Sequence, residues 1–280
     1  MAELLIDQLT VTFATPSGPV QVVKSLSMQM GSERIGIVGE SGSGKSMTAR
    51  AILGLVRHPG VVSAQRMSFD GLDLTAQTAA GWRALRGKRI GMILQDPKFS
   101  LNPVLHVGRQ IAETGLLHGV FGKREARQRV LDMLETVGVD HPERVFNAYP
   151  HQLSGGIGQR VMIAAMMIAS PALIIADEPT SALDVMVRGQ VLDMMDREIR
   201  KRGMGLLMIS HDLNMVASFC DRVLVMYQGA VVDSCAAKDL FHSRHPYTQG
   251  LLNCLPTGEQ RGQKLATIDR GLIDRAVVTS

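Results

Sequence analysis

Three short stretches of this 280-residue chain carry residue types that do chemistry at the spacing the chemistry needs. The first is Gly39-Glu40-Ser41-Gly42-Ser43-Gly44-Lys45-Ser46, which fits the phosphate-binding pattern GxxxxGK[ST]. Its glycines let backbone N–H groups converge on phosphate oxygens without interference from Cβ atoms, and the helix that follows presents its positive N-terminus. Lys45 can reach the β- and γ-phosphates of a nucleotide, and the Ser46 hydroxyl can ligate Mg²⁺. The bland alternative is a Gly/Ser turn beside an exposed lysine. A strand before the loop and a helix after it argue against that alternative.

The second stretch is Leu173-Ile-Ile-Ala-Asp177-Glu178, an apolar run that ends in two acids. Apolar side chains bury such a strand, and the acids emerge at its carboxyl end, where open α/β sheets bind ligands. Asp177 would hold Mg²⁺ there, directly or through water. Glu178 stands where a carboxylate polarises an attacking water. The third stretch, Leu153-Ser154-Gly155-Gly156, opens a helix. Ser154 is a suitable N-cap, and the two glycines let the backbone approach an anion. An ordinary capped helix start explains this stretch equally well when it is taken alone.

The elements that must position these residues follow from periodicity. Leu4 to Phe13 alternates like a half-buried strand, Thr15 to Pro19 is a turn, and Val20 to Met30 is strand-like again. Arg34 to Val38 predicts a strand and Ser46 to Leu55 a helix, so the phosphate loop joins strand to helix. Further strands are predicted at Ile90–Leu94, Leu173–Ala176, Gly205–Ser210, Val223–Tyr227 and Ala230–Asp233. Helical patterns cover Val107 to Val137, Ser154 to Ala169, Val185 to Arg202 and Leu213 to Phe219. Strands and helices alternate at both ends of the chain, which argues for a parallel α/β sheet. The mostly helical block at about 96–154 reads as an inserted subdomain. The polar stretch 256–280 is poorly patterned and is expected to be partly disordered.

Composition narrows the class of function. A formal charge of +4, with the basic residues scattered, gives no footprint for nucleic acid. Three cysteines (Cys220, Cys235 and Cys254), with no CxxC among them, fit a reducing compartment and make a cysteine metal site unexpected. No basic N-terminal segment leads into an apolar stretch, so no secretory signal is expected. The longest apolar run, Val161 to Ala169, falls well short of the ~18 residues of a membrane span.

The order of these motifs is what matters. The chain resembles the nucleotide-binding subunits of ABC transporters from about residue 4 to residue 255. The resemblance implies a P-loop NTPase (RecA-like) parallel-sheet core with an antiparallel β subdomain and an inserted helical subdomain. The core would lie at about 1–95 and 155–235, the helical subdomain at about 96–154, and a tail at 256–280. Carried over by motif, Gly39 to Ser46, with Met47 beyond it, is the Walker A loop for ATP, and Asp177 and Glu178 are the Walker B acid and the catalytic base. Gln95 is the Q-loop glutamine, which touches Mg²⁺ or water and senses the membrane partner. Ser154, Gly155 and Gly156 form the signature motif. Asp184, in Ser181-Ala-Leu-Asp184, belongs to the D-loop, His211 is the switch histidine, and Phe13 is placed like the aromatic that stacks on adenine. The signature departs from the common form at Ile157-Gly158, which would lie on the surface where two subunits pair.

Other stretches resemble the peptide, nickel and opine importer branch: Gln95 to Pro103, Tyr149 to Ser154 and, most specifically, His245-Pro-Tyr-Thr-Gln-Gly-Leu-Leu252. That resemblance implies ATP and Mg²⁺ as ligands, no iron–sulfur cluster, and a peripheral place on the cytoplasmic face of the inner membrane. The implied partners are a second homologous ATP-binding subunit, with a heterodimer favoured, two transmembrane permease subunits and an extracytoplasmic solute-binding protein. Peptides are the favoured cargo, with nickel, metal chelates or opines as the alternative. A soluble ABC ATPase unconnected with transport is the rival from another class. Such proteins typically carry two cassettes or a long coiled-coil insertion, and this chain has neither.

Overall fold

The computed structural model describes residues 3–95, 100–181 and 183–255, and only the backbone of Val185. The expectation for 256–280 therefore lies outside the described residues, as do residues 96–99 of the Gln95–Pro103 stretch and Ala182 of the D-loop.

In chain order the regular elements are β1 (Leu4–Thr15), β2 (Gly18–Met30), β3 (Arg34–Val38), α1 (Lys45–Ile52), β4 (Gly60–Ser63), β5 (Arg66–Phe69), β6 (Leu72–Asp73), α2 (Ala79–Leu85) and β7 (Ile90–Ile93). They continue as α3 (Val107–Leu117), α4 (Ala126–Thr136), α5 (Pro142–Phe146), α6 (Gly155–Met167), β8 (Leu173–Asp177), α7 (Val185–Arg202), β9 (Gly205–Ile209), α8 (Leu213–Phe219), β10 (Arg222–Tyr227), β11 (Ala230–Ala236) and α9 (Pro246–Asn253). The contacts divide them between two compact units.

One unit comprises residues 5–28, 33–67 and 209 onward. Within it β1 is flanked by β2 and by β4, the latter antiparallel, with Thr10 opposite Ser63 and Phe13 opposite Gly60. β3 runs parallel to β10, and β10 pairs antiparallel with β11. Two ion pairs fasten the start of β3 to the start of β10: Arg34 with Asp221 at 2.6 Å, and Glu33 with Arg222 at 2.8 Å. α8 is capped by the Asp212 carboxylate, which accepts from the Met215 N–H.

The other unit comprises residues 1–4, 29–32 and 68–208. β7, β8 and β9 lie side by side in that order, β7 and β8 being parallel with Ile90 opposite Leu173 and Ile93 opposite Ala176. β8 and β9 are buried along their whole length. This explains why their sequences run continuously apolar instead of alternating. Between β7 and β8 the chain forms α3 to α6, which pack on one another, and α6 also packs on β7. α7 buries Val191, Met194, Met195 and Ile199. Its end is tied down by Arg202, which pairs with Glu198 at 2.7 Å and donates to the Met167 carbonyl and the Ser170 hydroxyl.

Several sequence expectations change in detail. The helical pattern from Val107 to Val137 is two helices, because Gly119 adopts a left-handed φ of 65° just past the end of α3. α1 stops at Ile52, short of Leu55, with Gly54 left-handed behind it. β4, β5, β6, α2 and α5 are not predicted at all. These strands have two to four residues and gain their stability from partners remote in sequence, such as β1 for β4, so their local pattern is weak.

Cys220, only 7 % exposed at the end of α8, has its thiol pushed up to about 12 by burial. Nearby Arg34 partly offsets the rise and Asp221 adds to it. The folded chain thus holds the proton more tightly than the unfolded chain, whose thiol ionises near its ordinary value of 9.0. This contribution is fully present below pH 9 and is lost as pH rises towards 12. Between pH 8 and pH 10, urea unfolding should show a loss of stability about 1.4 kcal/mol larger in the wild type than in Cys220→Ala. Equal losses would show that the thiol ionises normally in the folded chain.

Candidate functional site

In the first unit β3 ends at Val38 and the chain turns through Gly39–Gly44 into α1, whose first residue is Lys45. The Lys45 side chain curls back into the loop. Its Nζ donates to the carbonyl oxygens of Gly39 (2.8 Å) and Glu40 (2.7 Å) and lies 3.4 Å from the Ser43 hydroxyl. The ammonium is buried, so those oxygens replace the water it has lost.

Two glycines make this turn possible. Gly39 has φ of 149° and Gly44 has φ of 102°. A Cβ on Gly39 would lie 2.1 Å from the Met226 carbonyl oxygen, and one on Gly44 would lie 2.5 Å from that of Val22. Gly44 is the N-cap of α1 and, having no side chain, cannot cap the helix. The N–H groups of Lys45, Ser46 and Met47 therefore precede the first carbonyl that the helix could offer them. A buried cation and a helix N-terminus without a side-chain cap meet at one loop, which is an anion-binding arrangement. Ser41 and Gly42 are exposed at its tip, while Ser43 is buried. The turn between β10 and β11 braces the loop, with the Gly229 N–H donating to the Ser43 carbonyl at 3.0 Å and the Lys24 N–H donating to that of Gly229 at 2.8 Å.

Phe13 and His211 belong to the same unit. Phe13 is half-buried on β1, and its ring lies over Gly60 on the paired strand. His211 is exposed between two anchored neighbours. The Ser210 N–H donates to the Ile37 carbonyl in β3, and the Asp212 N–H donates to the Ser210 hydroxyl.

The second unit holds Gln95, Ser154 to Gly156, Asp177, Glu178 and Asp184. Asp177 closes β8 and is 9 % exposed. Glu178 follows with φ of 49°, a left-handed conformation that a residue bearing a side chain adopts at a cost of roughly 1–2 kcal/mol. The Glu178 carbonyl is held by the N–H and the hydroxyl of Ser181. Its carboxylate accepts from the Gln95 amide at 3.3 Å, so two residues 83 apart in the chain meet.

Ser154 caps α6, its hydroxyl accepting from the Ile157 N–H at 3.4 Å, and Asp184 caps α7 by accepting from the Val187 N–H at 3.0 Å. Both side chains are exposed. The signature stretch is thus a capped helix start, with Gly155 and Gly156 as the first residues of the helix.

The expected surface position of Ile157-Gly158 needs correction. Ile157 is half-buried, but Gly158 is buried. Gly158 lies three and four residues before Val161 and Met162, both in the core, so the helix turns it inward. Sequence reasoning also missed Gln159. This side chain is wholly buried, and its amide nitrogen donates to the Pro179 carbonyl, directly after Glu178. It joins the signature helix to the acidic turn. The available signal was an amide two residues before the apolar run Val161 to Ala169.

Comparison with known proteins identifies the family. The family model described as "ABC transporter" matches residues 23–181, more than half of the chain. The dipeptide transport ATP-binding protein DppD of Escherichia coli (strain K12) is 45 % identical over 271 residues, covering 96 % of this chain and 83 % of that protein. The oligopeptide transport ATP-binding protein OppD of Bacillus subtilis (strain 168) is 42 % identical over 267 residues, covering 94 % and 75 %. Among solved structures, the dimeric post-hydrolysis state of the ATP-binding cassette MJ0796, bound to ADP and Pi, superposes with a TM-score of 0.73 at 25 % identity, covering 84 % of this chain and 98 % of that one. With the glycine-rich loop, the signature helix and the acidic strand in this order, the chain belongs to the ABC transporter family.

Proposed function

We propose that this chain is the ATP-hydrolysing subunit of a membrane importer for peptides. The observation that carries the reading is the 45 % identity to a dipeptide transport ATP-binding protein across 96 % of the chain. The lysine-filled phosphate loop supplies the chemistry. Residues 1–255 form the nucleotide-binding domain, and the helical stretch at about 96–154 receives the transmembrane partner near Gln95. Among the described residues no helix is long and apolar enough to cross a membrane. Attachment to the cytoplasmic face would then come through partners: two permease subunits, with an extracytoplasmic receptor delivering cargo.

The residue roles follow from motif order along the chain. The backbone N–H groups of the loop and the Lys45 ammonium bind the β- and γ-phosphates, and Phe13 stacks on the adenine. Glu178 orients the attacking water, with Gln95 bonded to its carboxylate. His211 contacts the γ-phosphate. Ser154, Gly155, Gly156 and Asp184 act on the nucleotide of a second, homologous ATP-binding subunit, which makes each subunit half of two sites.

Ser46, Gln95 and Asp177 supply a hydroxyl, an amide oxygen and a carboxylate, the hard oxygen donors that Mg²⁺ takes. Among the described residues no group of three or more His, Cys, Asp or Glu is arranged to hold a metal. When bound, Mg²⁺ neutralises charge on the β- and γ-phosphate oxygens.

Two measurements test these assignments in the complex with the permease subunits. Glu178→Gln should bind ATP like the wild type and lose about 100-fold or more in turnover; wild-type turnover would remove Glu178 from its role. ATPase activity should also rise when the receptor is loaded with peptide. A rise with nickel or a metal chelate, and none with peptide, would reassign the cargo and leave the motor intact.

A further inference from the structure

The most specific C-terminal stretch, His245-Pro-Tyr-Thr, is left without a task by the roles above. Tyr247 is wholly buried at the start of α9. Its hydroxyl oxygen accepts the Glu40 N–H at 3.1 Å. The carbonyl of that same Glu40 accepts the Lys45 ammonium at 2.7 Å. One residue of the phosphate loop is thus held on one side by Tyr247, while on the other it holds the lysine.

The phenol is itself fixed. Its ring packs on Tyr227 with centroids 4.4 Å apart. The neighbouring Thr248, also wholly buried, donates to the Asp233 carboxylate of β11 at 2.7 Å, and the Ser243 hydroxyl donates to the same oxygen. His245 caps α9 by accepting the Tyr247 N–H at 3.3 Å, and Pro246 presets its first turn. A partly buried polar network of this kind, with its partners supplied, favours one geometry.

We propose that Tyr247 is a positioning residue for nucleotide binding, its hydroxyl setting the Glu40 peptide and through it the resting place of Lys45. The proposal rests on the reading of the loop as the ATP site. It assigns the His-Pro-Tyr-Thr segment a support role behind that loop.

The test uses the complex assembled with its permease subunits, with ATP as the probe. Tyr247→Phe removes one oxygen and keeps the ring. It should raise KM for ATP about three- to tenfold, with kcat at saturating ATP within about twofold and the melting temperature little changed. Thr248→Val, which loosens α9 from Asp233, should shift KM in the same direction. Tyr227→Phe should leave KM at its wild-type value, because the Tyr227 hydroxyl accepts from Gln228. An unchanged KM in Tyr247→Phe, or an equal rise in Tyr227→Phe, overturns the proposal. Lys45→Ala serves as the reference: if it too binds ATP normally, the assignment of the loop fails, and not merely that of the tyrosine.

Discussion

A lysine ammonium buried against the carbonyl oxygens of its own loop constrains everything around it. A buried charge is tolerated only when enough oxygens replace its water. Here those oxygens are the Gly39 and Glu40 carbonyls, with the Ser43 hydroxyl nearby. Turning the carbonyls inward requires the left-handed glycines at 39 and 44, and these in turn let the Met226 and Val22 carbonyls approach to distances that no side chain would permit. The turn between β10 and β11, the strand β2 and the helix α9 are all recruited to hold one short loop.

The acidic turn after β8 is held by a different device. β8 is buried on both faces, so its direction is set by the core, and Asp177 emerges where the strand ends. The next residue departs from the strand by adopting a left-handed backbone that a glutamate does not favour. Ser181 secures the turn from its carbonyl side, and Gln159 secures it from the following proline. Strain of this kind persists where the surroundings over-determine it, and it gathers at working residues.

Ser154 and Asp184 show that a structural and a functional reading need not compete. Each is an N-cap whose side chain accepts a backbone N–H of the first turn, and each is exposed at the front of a helix. A cap fixes the direction of the first turn, and the first turn is what presents N–H groups outward. Gly155 and Gly156 open that turn in α6, and neither adds a side chain to it.

The residues proposed for ATP chemistry are legible along the chain without its fold. GxxxxGK[ST] after an apolar strand, two acids closing another, and a serine before two glycines are local patterns, and local patterns survive without knowledge of the fold. The bounds of α7 and α8 also follow from periodicity, whereas the helical pattern from Val107 to Val137 divides into α3 and α4. Tertiary structure alone decided which distant residues meet. That Gln95 reaches Glu178, that Gln159 holds the acidic turn and that Tyr247 grips Glu40 depend on contacts between residues far apart in the chain. The left-handed backbone of Glu178 was equally out of reach, because no residue type announces a conformation that its own side chain disfavours.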